Sequence, residues 1–480
     1  MPAMDPPSPP HPQPATAVST QDKALCINLD AARYGTFAEI GAGQEVCRWF
    51  FHVGGASGTV AKTISAYDMA VSDATYGPTD RYVSRKRLEA MLEHESAQLL
   101  QQLGPRRGAN TSFFVFANTV ATRSYARRDN GNGWLGVRFQ IAPGTGPSEI
   151  IIHVHLLDKE AAREQEALGI LGVNLLYGAF YMHDTPAALI ASLMNGLTRD
   201  RIEIDMIKLC GPAFAGVDNR LMSLQLVEQG FTDAAMFAAD GEVVQPSEVI
   251  YKRPILIERG RFRPLTYVTL DVLDSAREQF LQDPGLEDVE PVVLMEMTLR
   301  GLTSSERGVD HEEFLARAEI LHAAGNHVLI SNCERYFNLI EILARYTNKT
   351  IGVAMGVPSV RAVLDDQFYT DLPGGALEAM GRLFRNAVRV YVYPYRDPGS
   401  GALITADTLP VAAPLRHLHA FLLESHRIEP LRRHQEAYLG IRTHDVLAAI
   451  QTGDPSWEAA VPPAVAAIIK DRGLFGHKKN

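Results

Sequence analysis

Residues 52–68 read HVGGASGTVAKTISAYD, a glycine-rich run that ends in a lysine and a threonine. Glycines let backbone N–H groups close around an anion, a lysine adds a point charge, and a hydroxyl can reach a metal ion or a phosphate oxygen. Gly54, Gly55, Gly58, Lys62 and Thr63 therefore form the expected cradle for a phosphorylated ligand. The run is not a P-loop, which requires G-x-x-x-x-G-K-[ST]; Ala56 and Ala61 stand where its two glycines should be. The segment also reads as a strand, whereas a phosphate loop is followed by a helix whose N-terminus faces the anion. Asp68 closes the run and is expected to act as a catalytic carboxylate, together with Asp240 further on.

Three other groups have residue types suited to chemistry. In IIIHVHLLDKE, His153 and His155 fall on one face of a strand, with Glu160 following, a spacing that can ligate a metal. The runs RSYARRDNGNGW and ERGRFRPLT gather Arg123, Arg127, Arg128, Arg259, Arg261 and Arg263, whose guanidinium forks suit phosphate or carboxylate. Asp240, Glu258, Glu296, Ser331 and Asn332 close short apolar runs, and in a parallel α/β sheet such positions line the ligand crevice. The loops around FAADG and LISN resemble those of the haloacid dehalogenase superfamily, with Ala238 where that family has its nucleophilic aspartate. That resemblance implies a domain that has lost phosphoaspartate chemistry. The sequence contains no G-x-S-x-G and no H-E-x-x-H, and Gly41-Ala42-Gly43 lacks the third glycine of a dinucleotide fingerprint.

These residues need elements to position them. Residues 1–22 are proline-rich and are expected to be a disordered tail. Residues 23–200 predict an α+β domain with a mixed sheet. Ser84 caps a helix whose Leu88, Met91, Leu92, Leu99, Leu100 and Leu103 share a face, and three strand-like runs then follow without a helix between them. Residues 201–395 alternate short apolar runs with helices, the pattern of a largely parallel sheet covered on both faces. A doubly wound open sheet and a closed barrel both satisfy it. Residues 396–480 predict a helical C-terminal extension.

Composition narrows the partners. The chain of 480 residues has 46 basic and 56 acidic residues and a formal charge of −10, which argues against nucleic acid and against an anionic membrane surface. Its four cysteines, Cys26, Cys47, Cys210 and Cys333, form no C-x-x-C and read as thiols in a reducing compartment. The apolar run 167–182 is short for a membrane span and contains Asn174, so a buried helix is expected. The start has no basic n-region and no apolar core, and a cytoplasmic location is expected.

The long segments 29–77 and 166–181, with VDNRLMSLQLVEQGFTDAAMF and GGALEAMGRLF, resemble a widespread bacterial family of similar length. Its members often carry the label nicotinate-nucleotide adenylyltransferase. The GGxFDPxHxGH and S-x-T-x-x-R loops of that enzyme class are absent here, so the resemblance transfers no catalytic residue. The expected function is an α/β enzyme, such as a transferase, that binds a nucleotide or phosphorylated metabolite, with magnesium accompanying a nucleotide and a homo-oligomer as its assembly. The rival readings are a non-catalytic scaffold or regulatory protein, and a metal-dependent enzyme built on His153 and His155.

Overall fold

The computed structural model describes residues 18–123, 130–283, 286, 289–304, 308–385 and 387–478. Most of the proline-rich tail and the pair Arg127 and Arg128 lie outside the described residues. The chain forms two compact units, Met1–Glu203 with Leu209–Val217, and Ile204–Lys208 with Asp218–Asn480.

The first unit begins with α1 (Thr20–Leu29), capped by Ser19, whose side chain accepts from Asp22 N. Strand β1 (Arg33–Ile40), α2 (Glu45–Val53), β2 (Val60–Ile64), α3 (Met69–Tyr76), α4 (Arg85–Arg107), β3 (Ser112–Ala121), β4 (Gly131–Phe139), β5 (Ser148–Leu156), α5 (Ala161–Tyr181) and α6 (Pro186–Leu193) follow, and β6 (Ile202–Cys210) has its ends in this unit and its middle, Ile204–Lys208, in the second. The sheet order is β2-β1-β3-β4-β5-β6. Strands β1, β2 and β3 run parallel, and β3, β4 and β5, the three runs with no helix between them, form an antiparallel meander, so the sheet is mixed. Ser84 caps α4 as the sequence predicts, its hydroxyl accepting from Arg87 N. The buried face of α4 differs from the apolar pattern: Leu100 is exposed, and Glu95, at 1% exposure, is buried instead. Glu95 is held inside because Tyr76 donates its hydroxyl to it at 3.0 Å and Lys62 pairs with it.

The second unit contains α7 (Asn219–Glu228), β7 (Ala234–Phe237), β8 (Val243–Val244), α8 (Pro246–Ile250), β9 (Ile255–Arg259), α9 (Tyr267–Phe280), β10 (Val292–Thr298), α10 (Leu299–Leu302), β11 (Thr303–Ser304), β12 (Gly308–Val309), α11 (His311–Ala323), β13 (His327–Ser331), α12 (Tyr336–Leu343), β14 (Ile351–Gly356), α13 (Val357–Val363), α14 (Gly375–Leu383), β15 (Val388–Tyr393), β16 (Tyr395–Arg396), β17 (Leu403–Ile404), α15 (Arg416–Glu424), β18 (Ile428–Pro430), α16 (Thr443–Thr452) and α17 (Pro463–Arg472). Its main sheet has the order β18-β15-β14-β9-β10-β13-β7-β8. Six consecutive strands, β18 to β13, run parallel, and β7 and β8 are antiparallel. Because β18 and β8 are free edges, the sheet is open rather than a barrel. Ile255, Ile257, Leu294, Val353 and Val390 supply one core face, packed with Phe337 and Leu339 of α12 and Ala379 and Leu383 of α14. Leu256 and Phe280 fill the other: a Cβ built on Gly352 would lie 3.0 Å from both side chains.

In chain order the six parallel strands are β9, β10, β13, β14, β15 and β18, and across the sheet they read 3-2-1-4-5-6. This is a doubly wound arrangement, with its topological switch between β9 and β14. Crossovers from β9 lead first to one side and then, after β13, back to the other. The loops leaving the two central strands therefore diverge and open a crevice at their carboxyl ends.

Candidate functional site

The glycine-rich segment folds as a turn that enters a strand. Gly54 and Gly55 have positive φ, 82° and 80°, a single 3₁₀ turn spans Ala56–Gly58, and β2 follows at once. Asn28 of α1 ties the turn down, donating its amide to Phe50 O at 2.8 Å and Gly54 O at 2.7 Å. A Cβ on Gly58 would lie 3.4 Å from Asn28 O, so the small residue also admits close packing. Lys62 sits on β2, half-exposed, paired with the Glu95 carboxylate and 3.1 Å from Gln98 Oε1. Thr63 lies beside the buried Cys47 thiol, which burial pushes up to about 12. Asp68 is the N-cap of α3, accepting from Ala70 N at 2.9 Å and Val71 N at 3.2 Å. Lys62 and Asp68 thus each have a structural partner.

A buried glutamate that the sequence reading did not single out for chemistry lies nearby. The first unit's parallel strands read β2-β1-β3, so their order reverses between β1 and β3, and Glu39 and Asn118 stand opposite each other there. Glu39 is fully buried and burial pushes its carboxyl up to about 7, an effect offset by donors from Cys47 N, Val46 N and the Asn118 amide. Those bonds measure 2.9, 3.2 and 3.0 Å. Glu39 therefore occupies the anion position at the start of α2. Gly41 makes the turn between them: its φ is +101°, and a Cβ would come within 1.7 Å of Val120 O.

His153 is buried and His155 half-buried, with ring centroids 5.1 Å apart, and His153 packs on Trp134 at 4.8 Å. The two rings share a face of β5 as alternation requires.

In the second unit the strand ends divide into two ends of the sheet. Asp240 lies in the turn after β7, accepting from Glu242 N at 3.0 Å. Since β7 is antiparallel to β13, with Phe237 opposite Val328 and Ala234 opposite Ser331, that turn falls at the amino end of the parallel strands. Asp240 is therefore not at the carboxyl-end crevice where the sequence reading placed it, and no nucleophile-loop geometry of the haloacid dehalogenase type forms around it. Its charged neighbours are His322 and His327, whose rings burial holds below the usual range, His322 at about 4.

Arg259, Glu296 and Ser331 do meet at the carboxyl ends, and Glu258 stands on the opposite face of β9 from Arg259. Glu296 is fully buried and satisfied: Arg259 donates to it through Nη2 at 3.0 Å and Nε at 2.5 Å, and Ser331 Oγ donates at 2.5 Å. Arg259 also donates to Glu334 O at 3.1 Å and lies 4.6 Å over the Tyr336 ring. Burial raises the Glu296 carboxyl and the arginine draws it back down.

Glu258 has the opposite character. It stands in register with Met295 of β10 and Ala354 of β14, at the switch between β9 and β14. Its residue is 8% exposed, and its Oε2 is buried with no hydrogen-bond partner among the described residues. Burial, reinforced by the Asp274 charge, pushes its carboxyl well above the usual range. An unmet buried carboxylate costs several kcal/mol, on the order of 1–3 even for a neutral polar group, so it detracts from stability. A buried, unpartnered carboxyl at a switch point is suited to hold a proton and pass it to a bound ligand. Alternation on a strand ending at residue 259 flags Glu258 as inward-facing; its lack of a donor has no sequence signal.

The fold and site together define an α/β protein whose second unit is doubly wound, with a buried carboxyl at its switch point. No family model matches the chain, and no curated protein matches it. Parts of it are similar to solved competence- or damage-inducible proteins. One from Agrobacterium tumefaciens is 15% identical, covering 33% of this chain and 93% of that one, with a TM-score of 0.24. CinA superfamily proteins from Enterobacter cloacae and Escherichia coli are 10% and 13% identical, cover 37% and 33% of this chain and 99% and 88% of theirs, and give TM-scores of 0.25 and 0.23. At such TM-scores the overlap carries no functional inference. No helix among the described residues is long and apolar enough to cross a membrane.

Proposed function

We propose that this protein is an α/β enzyme that binds a nucleotide or phosphorylated metabolite in the crevice beside β9 and β14, with Glu258 as the group that moves a proton. The observation that supports this reading is the buried, unpartnered Glu258 carboxyl at the position where doubly wound sheets hold their ligands. Glu296 and Glu39 are equally buried but each is saturated by donors, so they are assigned to holding the fold. Arg261, exposed two residues beyond the end of β9 and without an ion-pair partner among the described residues, is the cation nearest in sequence for a ligand phosphate. Arg259 is committed to Glu296 and orients the wall of the crevice.

The reaction assigned is one with proton transfer at the bound ligand, a transfer reaction included, with magnesium entering alongside a nucleotide. Lys62 remains a second anion contact in the first unit; an anion there competes with Glu95 for the ammonium. The family resemblance adds nicotinate mononucleotide with ATP to the ligands worth titrating. A cytoplasmic homo-oligomer is the assembly proposed. Isothermal titration of the protein with a panel of nucleotides and sugar phosphates tests this reading. Saturable binding that weakens in Glu258→Gln supports it, and no binding across the panel removes it.

A further inference from the structure

The loop that leaves β9 brings a second arginine up beside Arg261. Gly260 and Phe262 pack on each other, since a Cβ on Gly260 would lie 2.6 Å from the Phe262 ring. Phe262 is buried, at a φ of +47° that residues other than glycine seldom adopt. With that ring turned inward, its two neighbours are left outside: Arg261 is exposed and Arg263 half-buried. Arg263 pairs with Glu313 in the first turn of α11. Arg317, one turn further along α11, pairs with the same carboxylate, its Nε donating at 3.0 Å, and its Nη1 donates to Gly301 O of α10 at 3.0 Å. Because α10 follows β10 directly, the group lies over the carboxyl ends of β9 and β10, the end of the sheet at which the crevice opens.

This group holds more positive charge than the fold requires. Arg317 is 3% exposed, and the charges acting on it are one carboxylate, Glu313, and two further guanidiniums, Arg263 and Arg261. Three guanidiniums thus share one carboxylate, a surplus of two positive charges. Burial and those like charges hold Arg317 below its usual range, although Glu313 draws it up. Tying α10 to α11 requires Arg317 and Glu313 alone; Arg261 and Arg263 add repulsion beside a buried cation. An anion carrying two or more charges between them turns that repulsion into attraction, and guanidinium forks match phosphate oxygens.

We propose that Arg261, Arg263 and Arg317 form a diphosphate subsite, which takes two linked phosphate groups at the carboxyl ends of β9 and β10. The inference rests on the reading of this crevice as the ligand site and narrows the ligand to one that contains a diphosphate, whether a nucleotide or free pyrophosphate. Arg261 and Arg263 contact the phosphate oxygens. Arg317 adds its charge from behind while it holds Gly301.

The test is titration of the full chain at low salt with pyrophosphate, orthophosphate, ADP and AMP. Pyrophosphate is expected to bind saturably, about tenfold or more tightly than orthophosphate, and its affinity to fall as sodium chloride is added. Arg261→Gln and Arg263→Gln are each expected to weaken it about tenfold. Arg261 has no ion-pair partner among the described residues, so its replacement probes the subsite without disturbing Glu313. Circular dichroism and melting temperatures, expected to match the parent, separate loss of binding from loss of fold. ADP that binds more tightly than AMP, with the same sensitivity to both variants, assigns the diphosphate to a nucleotide; pyrophosphate alone assigns it to the free anion. No saturable binding of pyrophosphate, or binding that both arginine variants leave unchanged, overturns the inference. Ligands that weaken in Glu258→Gln but in neither arginine variant would leave the proton-transfer reading standing and remove this one alone. Diphosphate binding that the arginine variants weaken and Glu258→Gln leaves unchanged would do the reverse.

Discussion

Glu258 and Glu296 stand on neighbouring strands, both buried, yet Glu296 receives an arginine fork and a serine hydroxyl while Glu258 Oε2 receives nothing. The difference assigns opposite roles to two residues of one type. A saturated buried carboxylate fixes neighbouring strands; an unsatisfied one is a cost that stability alone does not explain.

Replacing each should move stability in opposite directions. Glu296→Gln leaves Arg259 buried without its counter-charge, and a loss of about 3–5 kcal/mol is expected in urea denaturation. Glu258→Gln removes a buried carboxyl that resists ionisation, so the variant is expected to gain stability over the parent as pH rises above the ordinary carboxylate range. Equal losses in both variants would contradict the assignment.

Stability should also depend on pH through two further groups with opposite signs. Glu39 has a folded value of about 7 against an ordinary 4.5, so the stability it contributes is complete below 4.5 and lost as pH rises through 7. The ceiling on that loss is about 3 kcal/mol. His322 has a folded value of about 4 against 6.5, so the unfolded chain takes the proton first and stability falls as pH drops from 6.5 towards 4. Melting curves from pH 4 to 8 should show the acid-side loss reduced in His322→Asn and the alkaline-side loss reduced in Glu39→Gln. An unchanged profile in either variant would refute the corresponding assignment.

The glycines should rank sharply. Gly41→Ala places a Cβ 1.7 Å from Val120 O at a φ of +101° and is expected to prevent folding of the first unit. Gly54 has open space around it but a backbone at φ +82° and ψ 166° that side-chain-bearing residues rarely adopt, so Gly54→Ala is expected to cost roughly 1–3 kcal/mol without preventing folding. Solubility and thermal melting of the two variants check this; equal tolerance would mean the β1–α2 turn is looser than described.

Much of this fold is legible in the sequence. Alternation of apolar runs with helices predicts the parallel sheet, the three runs between residues 112 and 156 predict the meander, and Ser84 predicts the start of α4. The open sheet is decided only by long-range pairing, because a strand's neighbours are not written in its own residues. Asp240 shows the same limit: its strand looks like any other apolar run, and only its antiparallel pairing with β13 places the turn at the wrong end. Leu100 and Glu95 exchange their expected environments because Lys62 and Tyr76, distant in sequence, provide a polar lining. Glu258 is visible as a strand-end carboxylate, but the absence of a donor around it is a property of the packed fold.

Lys62→Ala separates the first unit's contribution from the second's. It leaves the buried Glu95 with the Tyr76 hydroxyl alone and is expected to destabilise by roughly 2 kcal/mol. Ligand affinity measured below the melting transition should then change by less than threefold if binding is centred on Glu258. A loss of tenfold or more would move the anion site to the glycine-rich segment.

The most direct measurement is titration of a nucleotide and sugar-phosphate panel into the parent protein and Glu258→Gln, repeated in buffers of different ionisation enthalpy between pH 6 and 9. At least one ligand is predicted to bind the parent with a net change in bound protons, and to lose both the proton change and tenfold or more in affinity in Glu258→Gln. Binding with the same affinity and the same proton balance in both proteins would contradict the assignment of Glu258 as the proton-transfer group.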